Sequence, residues 1–158
     1  MVAFRGPAIT IGRPRHPTEA PALDPNSPPG PAAPLRVLIV EDDTAAATAL
    51  AGLIDRAGHA VRVASDGAAA VAEVPRFVPD IVFLDLRLPD IDGHEVARRL
   101  RAMHWVRRPL LVGISGYSEE LDRLRASDDG VDLSYRKPAD AEALLRLLSR
   151  WADSLPRP

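Results

Sequence analysis

Five side chains of this 158-residue chain are of the types that together handle a phosphoryl group: Glu41, Asp42, Asp85, Ser115 and Lys137. Asp85 follows the continuous apolar run Ile81, Val82, Phe83, Leu84. Such a run suits a strand buried on both faces of a parallel sheet. A lone carboxylate is costly to bury, which places Asp85 at the strand's carboxyl end, where open α/β sheets bind ligands. Glu41 and Asp42 end a first apolar run, Ser115 ends another, and Lys137 follows a last one. Three neighbouring carboxylates repel unless a cation balances them. Oxygen donors without imidazole or thiolate point to Mg²⁺. A carboxylate, a divalent cation, a hydroxyl and an ammonium make a phosphoryl-transfer site. Asp85 is then the nucleophile of an aspartyl-phosphate reaction. Mg²⁺ and Lys137 neutralise the phosphoryl oxygens, and Ser115 donates to the attached group. Lys137 is the one lysine among 20 basic residues, the rest being arginine. A compact ammonium is the better fit where a planar guanidinium would not go.

Each residue also has a plainer reading. Glu41 and Asp42 could complement a helix dipole, Asp85 could be a turn residue, and Ser115 could be an ordinary strand-end hydroxyl. What favours a site is that all of them end strands.

The elements that must position these groups alternate along the chain. Strands are expected at Leu35 to Val40, Ala60 to Ala64, Ile81 to Leu84, Leu110 to Ile114 and Val131 to Tyr135. Between them lie helical patterns: Ala46 to Ala57 closed by Gly58, an alanine-rich stretch capped by Asp66 and ending near Pro75, and Val96 to Met103. A fourth is expected from Ser118 through Leu121 and Leu124, and a last one bears Leu144, Leu145, Leu148 and Trp151. Asp92 and Glu95 have capping-box spacing. Five strands alternating with five helices predict an α/β fold with a parallel sheet covered on both faces by right-handed crossovers. Residues 1–34 are crowded with proline and read as a disordered spacer arm, residues 35–152 as one domain, and 153–158 as a short tail. No second folded domain is expected after the last helix.

Composition narrows the rest. Apolar residues are 46% and charged residues 27%, as in soluble globular proteins. A net charge of −2 gives no bulk attraction to nucleic acid or membrane, and no apolar run approaches a membrane span. With 0 cysteines there is no disulfide, thiolate metal site or cysteine nucleophile. A cytoplasmic location is the expectation. His59, His94 and His104 have no ligand spacing and are expected at the surface. Arg98, Arg99, Arg101, Arg107 and Arg108 read as a solvated basic face at a helix end.

The motifs VLIVEDD, FLDLRLPDIDG, LLVGISGYS and YRKP stand in the order and spacing of a response regulator receiver domain, and residues 35–152 resemble that CheY-like family of two-component signalling. The resemblance implies a flavodoxin-like (βα)5 three-layer sandwich with strand order 2-1-3-4-5. It implies that Asp85 accepts phosphate from a sensor histidine kinase or a histidine phosphotransfer protein. It implies that Asp42, Asp85 and the backbone carbonyl of Arg87 hold Mg²⁺, with Glu41 acting through water. Ser115 and Lys137 would bind the phosphoryl group, and the Lys137–Pro138 bond would be cis. Arg87 and Tyr117 sit where the family flanks the path of hydrolytic water, making them candidate modulators of phosphoryl lifetime. The chain departs from the pattern three residues before the lysine, where an aromatic is usual and Ser134 stands instead. Tyr135, one place later, points to the opposite face of a strand, which argues against an aromatic switch.

The resulting expectation is a stand-alone, non-enzymatic phosphoacceptor. It would signal through a downstream protein target around the fourth helix and fifth strand, with no DNA-binding domain and no membrane. A phosphorylation-independent interaction module is the alternative. A haloacid-dehalogenase-type phosphatase needs a second aspartate two residues after the nucleophile, and that residue is Arg87.

Overall fold

The computed structural model describes residues 34–116 and 130–155. In chain order they form β1 (Arg36–Val40), α1 (Thr44–Arg56), β2 (Ala60–Ala64), α2 (Gly67–Phe77), β3 (Ile81–Asp85), α3 (Gly93–Ala102), β4 (Leu110–Ser115), β5 (Leu133–Arg136) and α4 (Ala141–Ser154). The five strands make one parallel sheet of order β2-β1-β3-β4-β5, as the resemblance implied. The helix expected from Ser118, with Leu121 and Leu124, and the arm up to residue 33 lie outside the described residues.

Side-chain alternation divides the core into two layers. Leu38, Val40, Val82, Leu84 and Leu111 face α2 and α3 and pack with Ala70, Val74, Val96 and Leu100. Val37, Ile39, Ile81, Phe83 and Val112 face α1 and α4 and pack with Ile54, Leu144 and Leu148. Both faces of β3 and β4 are therefore buried, which is why their sequences are apolar throughout rather than alternating. The edge strands β2 and β5 are largely exposed and carry polar residues.

Several boundaries differ from expectation. α1 begins at Thr44 because Asp43 caps it, accepting a hydrogen bond from the Ala46 N–H at 2.8 Å. Asp66 caps α2 as expected, but α2 runs past Pro75 to Phe77 and ends in Val78, at φ 49°. The expected Asp92–Glu95 capping box is half made. Asp92 accepts from the His94 N–H, while Glu95 is drawn to Arg98 and Arg99 at 2.9 Å each. β5 starts two residues later than expected, at Leu133, because the Asp132 carboxylate turns inward to accept from the Leu111 N–H and to meet Arg101.

Candidate functional site

Register decides which residues can meet. Val40 of β1 pairs with Leu84 of β3, so the next residues along, Glu41 and Asp85, stand side by side at the carboxyl edge. Asp85 is opposite Ile114 of β4, and Ser115 is opposite Arg136 of β5. Lys137 follows, its N–H donating to the Ser115 carbonyl at 2.7 Å, and its bond to Pro138 is cis. Four strands thus deliver Glu41, Asp42, Asp85, Ser115 and Lys137 to one rim.

The side chains close the arrangement. Lys137 Nζ donates to Asp85 Oδ2 at 2.9 Å and to Glu41 Oε2 at 2.8 Å. Asp85 Oδ1 accepts from the Arg87 N–H at 2.8 Å, which fixes the plane of the carboxylate. Glu41 Oε1 accepts from the Asp43 N–H at 3.1 Å. The carboxylates of Glu41, Asp42 and Asp85 each offer an oxygen within 4.8 Å of the others. The Asp85 side chain is 6% exposed, that of Glu41 11% and that of Lys137 35%, so the lysine side chain is the most exposed of the three. Burial pushes the Glu41 carboxyl above its usual range, and the Lys137 hydrogen bond offsets this only in part. Burial also opposes the charge on Lys137, but the bonds to Glu41 and Asp85 together outweigh it and hold the ammonium above its usual range.

The three neighbouring acids have separate jobs. Asp43 caps α1, Glu41 takes the ammonium, and exposed Asp42 faces the rim. Three carboxylates against one ammonium leave two negative charges in excess when all are ionised. Hard oxygens carrying that excess, in reach of one another and without imidazole or thiolate, fit a magnesium ion.

A family model described as the response regulator receiver domain matches residues 37–149. The chain belongs to the response regulator receiver family. Receiver domains bind Mg²⁺ at an acidic site and work with histidine kinases. Among solved structures, this receiver is similar to the receiver domain of sensor histidine kinase PA1611 from Pseudomonas aeruginosa PAO1, whose active site cleft holds a coordinated magnesium ion. The TM-score is 0.70 at 30% identity, over 77% of this chain and all of that one (100%). A CheY-like receiver from Methylobacillus flagellatus gives 0.69 at 29% identity, covering 75% and 99%. Among curated proteins, the transcriptional regulatory protein TrcR of Mycobacterium tuberculosis is 36% identical over 128 residues, 79% of this chain and 49% of TrcR. TcrA of the same organism is 39% identical over 127 residues, 78% of this chain and 49% of TcrA. The chain spans about half the length of the curated relatives it matches.

Sequence reasoning missed four features of this receiver. Asp90 clasps the loop after β3 to the start of α2, its carboxylate accepting from the Gly67 and Ala68 N–H groups at 3.0 Å each. These bonds, the one to Gly67 foremost, hold its carboxyl below the usual range. Gly93 lets α3 begin against the site: a Cβ there would lie 2.4 Å from the Asp85 carbonyl oxygen and 2.5 Å from Leu86 Cα. Its position in the motif was visible, its reason was not. His59 and His94 are buried, correcting their expected place at the surface. His59 accepts from the Leu35 N–H at 3.1 Å through Nδ1, a contact 24 residues distant in sequence. The basic face is also not simply solvated. Arg101 donates to the Gly130 and Pro109 carbonyls and pairs with Asp132, while Arg107 meets Asp80 at 3.2 Å. Tyr135 packs with the α1–α4 layer and Ser134 takes the other face, as the alternation required. Tyr117 lies outside the described residues.

Proposed function

We propose that this receiver is a phosphoacceptor whose nucleophile is Asp85. The observation that carries the reading is the bond from Lys137 Nζ to Asp85 Oδ2 beside the three-carboxylate cluster. Asp42, Asp85 and the Arg87 carbonyl would hold Mg²⁺, with Glu41 contributing through water. Bound there, the ion supplies charge neutralisation for the phosphoryl oxygens and a template for in-line transfer.

The chain's own groups do the rest. An Asp85 oxygen attacks the phosphorus of a phosphohistidine. The P–N bond breaks as the P–O bond forms, and the leaving imidazole keeps the electron pair. The product is an aspartyl phosphate. The Arg87 N–H holds the carboxylate plane during attack. Lys137, already paired with Asp85, follows the charge onto the phosphoryl oxygens, and Ser115 donates to the group once attached. The only chemistry on this reading is self-phosphorylation and slow self-dephosphorylation, with no turnover of another substrate.

The donor is a sensor histidine kinase or a histidine phosphotransfer protein. The output is a changed protein–protein surface at the β5 edge and the segment before it, read by a downstream protein target in the cytoplasm. The names of TrcR and TcrA favour a second reading, in which the output is transcriptional. A phosphorylation-independent interaction module is the remaining alternative.

Intact mass after treatment with acetyl phosphate and Mg²⁺ tests the proposal. The wild-type chain gains one phosphoryl group and Asp85→Asn gains none. A wild-type chain that stays unmodified at every magnesium concentration, while remaining folded, overturns it.

A further inference from the structure

The loop between β3 and α3 carries the Arg87 carbonyl, and it is pinned at three places. At its base, the Gly93 N–H donates to the Leu86 carbonyl at 3.2 Å, and the Leu86 N–H donates to the Ile114 carbonyl of β4 at 3.2 Å. Beside the rim, the Arg87 N–H donates to Asp85 Oδ1 at 2.8 Å. At the far end, Asp90 spans two successive N–H groups of α2. Its Oδ1 accepts from Gly67 and its Oδ2 from Ala68, at 3.0 Å each. A two-pronged, charge-assisted contact at a helix N-terminus fixes direction as well as distance.

The clasp is closely fitted. A Cβ on Gly67 would lie 3.5 Å from Asp90 Oδ1, 3.2 Å from Ile91 Cβ and 2.7 Å from Val96 Cγ2, so α2 sits against the loop and α3 with no space for a side chain. Leu88 and Ile91 pack on the core layer beneath. Only Leu88 and Pro89 separate Arg87 from Asp90, and the ring of Pro89 fixes its own φ. The Arg87 peptide is therefore held by Asp85 on one side and by Asp90 on the other. Asp90 is not among the acids gathered at the rim, which are Glu41, Asp42 and Asp85. Both of its oxygens are engaged by α2. That helix already has an N-cap in Asp66, which accepts from the Ala69 N–H at 2.7 Å, so what Asp90 adds is the tie to the loop. We infer that Asp90 is a positioning residue for Mg²⁺: by clasping the loop to α2 it keeps the Arg87 peptide in place as a ligand, and so sets the affinity of the rim for the ion without touching it. The inference rests on the metal role proposed above for Asp42, Asp85 and the Arg87 carbonyl. A ligand ordered before binding loses less freedom when the ion arrives.

Magnesium chloride titrated into the full chain, followed by calorimetry, tests it. Asp90→Ala should weaken Mg²⁺ binding about tenfold, the lower end of the range for groups that orient metal ligands. Asp90→Asn keeps one acceptor oxygen but turns its amide N–H₂ toward the other donor, so its affinity should fall between the two. Asp66→Ala separates positioning from helix stability. It removes a cap from the same turn of α2, and should cost stability while leaving the Mg²⁺ affinity unchanged. In the metal-free protein, hydrogen exchange at the Arg87 amide should quicken in Asp90→Ala and stay at the wild-type rate in Asp66→Ala. The inference is overturned if Asp90→Ala binds Mg²⁺ as tightly as wild type. It is also overturned if Asp66→Ala weakens binding equally, since the effect would then be one of α2 stability. Either result leaves the metal role of the rim standing. A wild-type chain that binds no Mg²⁺ overturns that role, and the inference with it.

Discussion

Lys137 gives one ammonium to two carboxylates from two different strands, and its raised pKa has a defined sign for stability. The folded state binds that proton more tightly than the unfolded chain does. The contribution is complete below the ordinary lysine value of 10.5 and fades as pH rises through the folded value. His59 runs the other way. Burial lowers its pKa, and Nδ1 must stay unprotonated to accept from the Leu35 N–H. The unfolded chain therefore binds the proton first. Stability is complete above 6.5 and declines as pH falls through the lower folded value. Urea unfolding across that window should show the decline in wild type, and His59→Phe should flatten it. Arg87 and Tyr117 carry a kinetic prediction under the phosphoacceptor reading. Arg87→Asn combined with Tyr117→Ala should shorten the half-life of labelled phosphoprotein at least about threefold, less than one kcal/mol of barrier. An unchanged half-life removes both residues from that role. Asp85, Lys137 and the neighbouring acids were legible because each ends or follows an apolar run, and a parallel sheet puts all such ends on one edge. The buried histidines were not, because the group that accommodates His59 lies 24 positions away.

The helices show how local signals are completed by distant ones. The Asp66 cap could be read three residues ahead of its partner, Ala69. The second cap on the same helix, Asp90, reaches it from the loop after β3 and has no local signature. Pro75 looked like a helix end, but in a last turn its missing N–H removes a single ladder bond, and α2 closes two residues later. It closes on Val78, a β-branched residue held at φ 49°, where L-residues other than glycine and asparagine are disfavoured. Because Val78 is half-exposed, little packing opposes relief of that strain. Val78→Asn should raise the unfolding free energy by about 1 kcal/mol in chemical denaturation. A loss of stability would mean that Val78's apolar contacts outweigh its backbone cost. The strand alternation was the most legible feature of all, since it put Tyr135 and Ser134 on their correct faces with no tertiary information.

At the scale of the whole molecule, one end of the sheet gathers acids and the other gathers apolar side chains. The acidic end sets three carboxylates against one ammonium, and burial, with a smaller push from Asp85, holds the Glu41 carboxyl above its usual range. A divalent cation that binds only the folded state should repay this. At a hundredfold excess over its Kd, Mg²⁺ should add about 2.7 kcal/mol to the unfolding free energy, seen as a higher Tm. The gain should vanish with EDTA and in Asp42→Asn and Asp85→Asn. A Tm indifferent to magnesium would count against the acids as ligands. Among the described residues, no helix is long and apolar enough to cross a membrane. Both indoles lie toward the apolar end, Trp105 held by the Leu100 carbonyl and Trp151 by the Asp80 carbonyl at 2.9 Å.

The chain's single lysine is the one that bridges Glu41 and Asp85, so its only side-chain amine sits in the rim. Amine-directed reagents have just this target and the chain's own α-amino terminus to choose between. Acetylating Lys137, biotinylating it or coupling it to a sensor chip would cap the ammonium between its two carboxylates. Under the phosphoacceptor reading, the commonest route to a tethered sample is also a route to a silenced one.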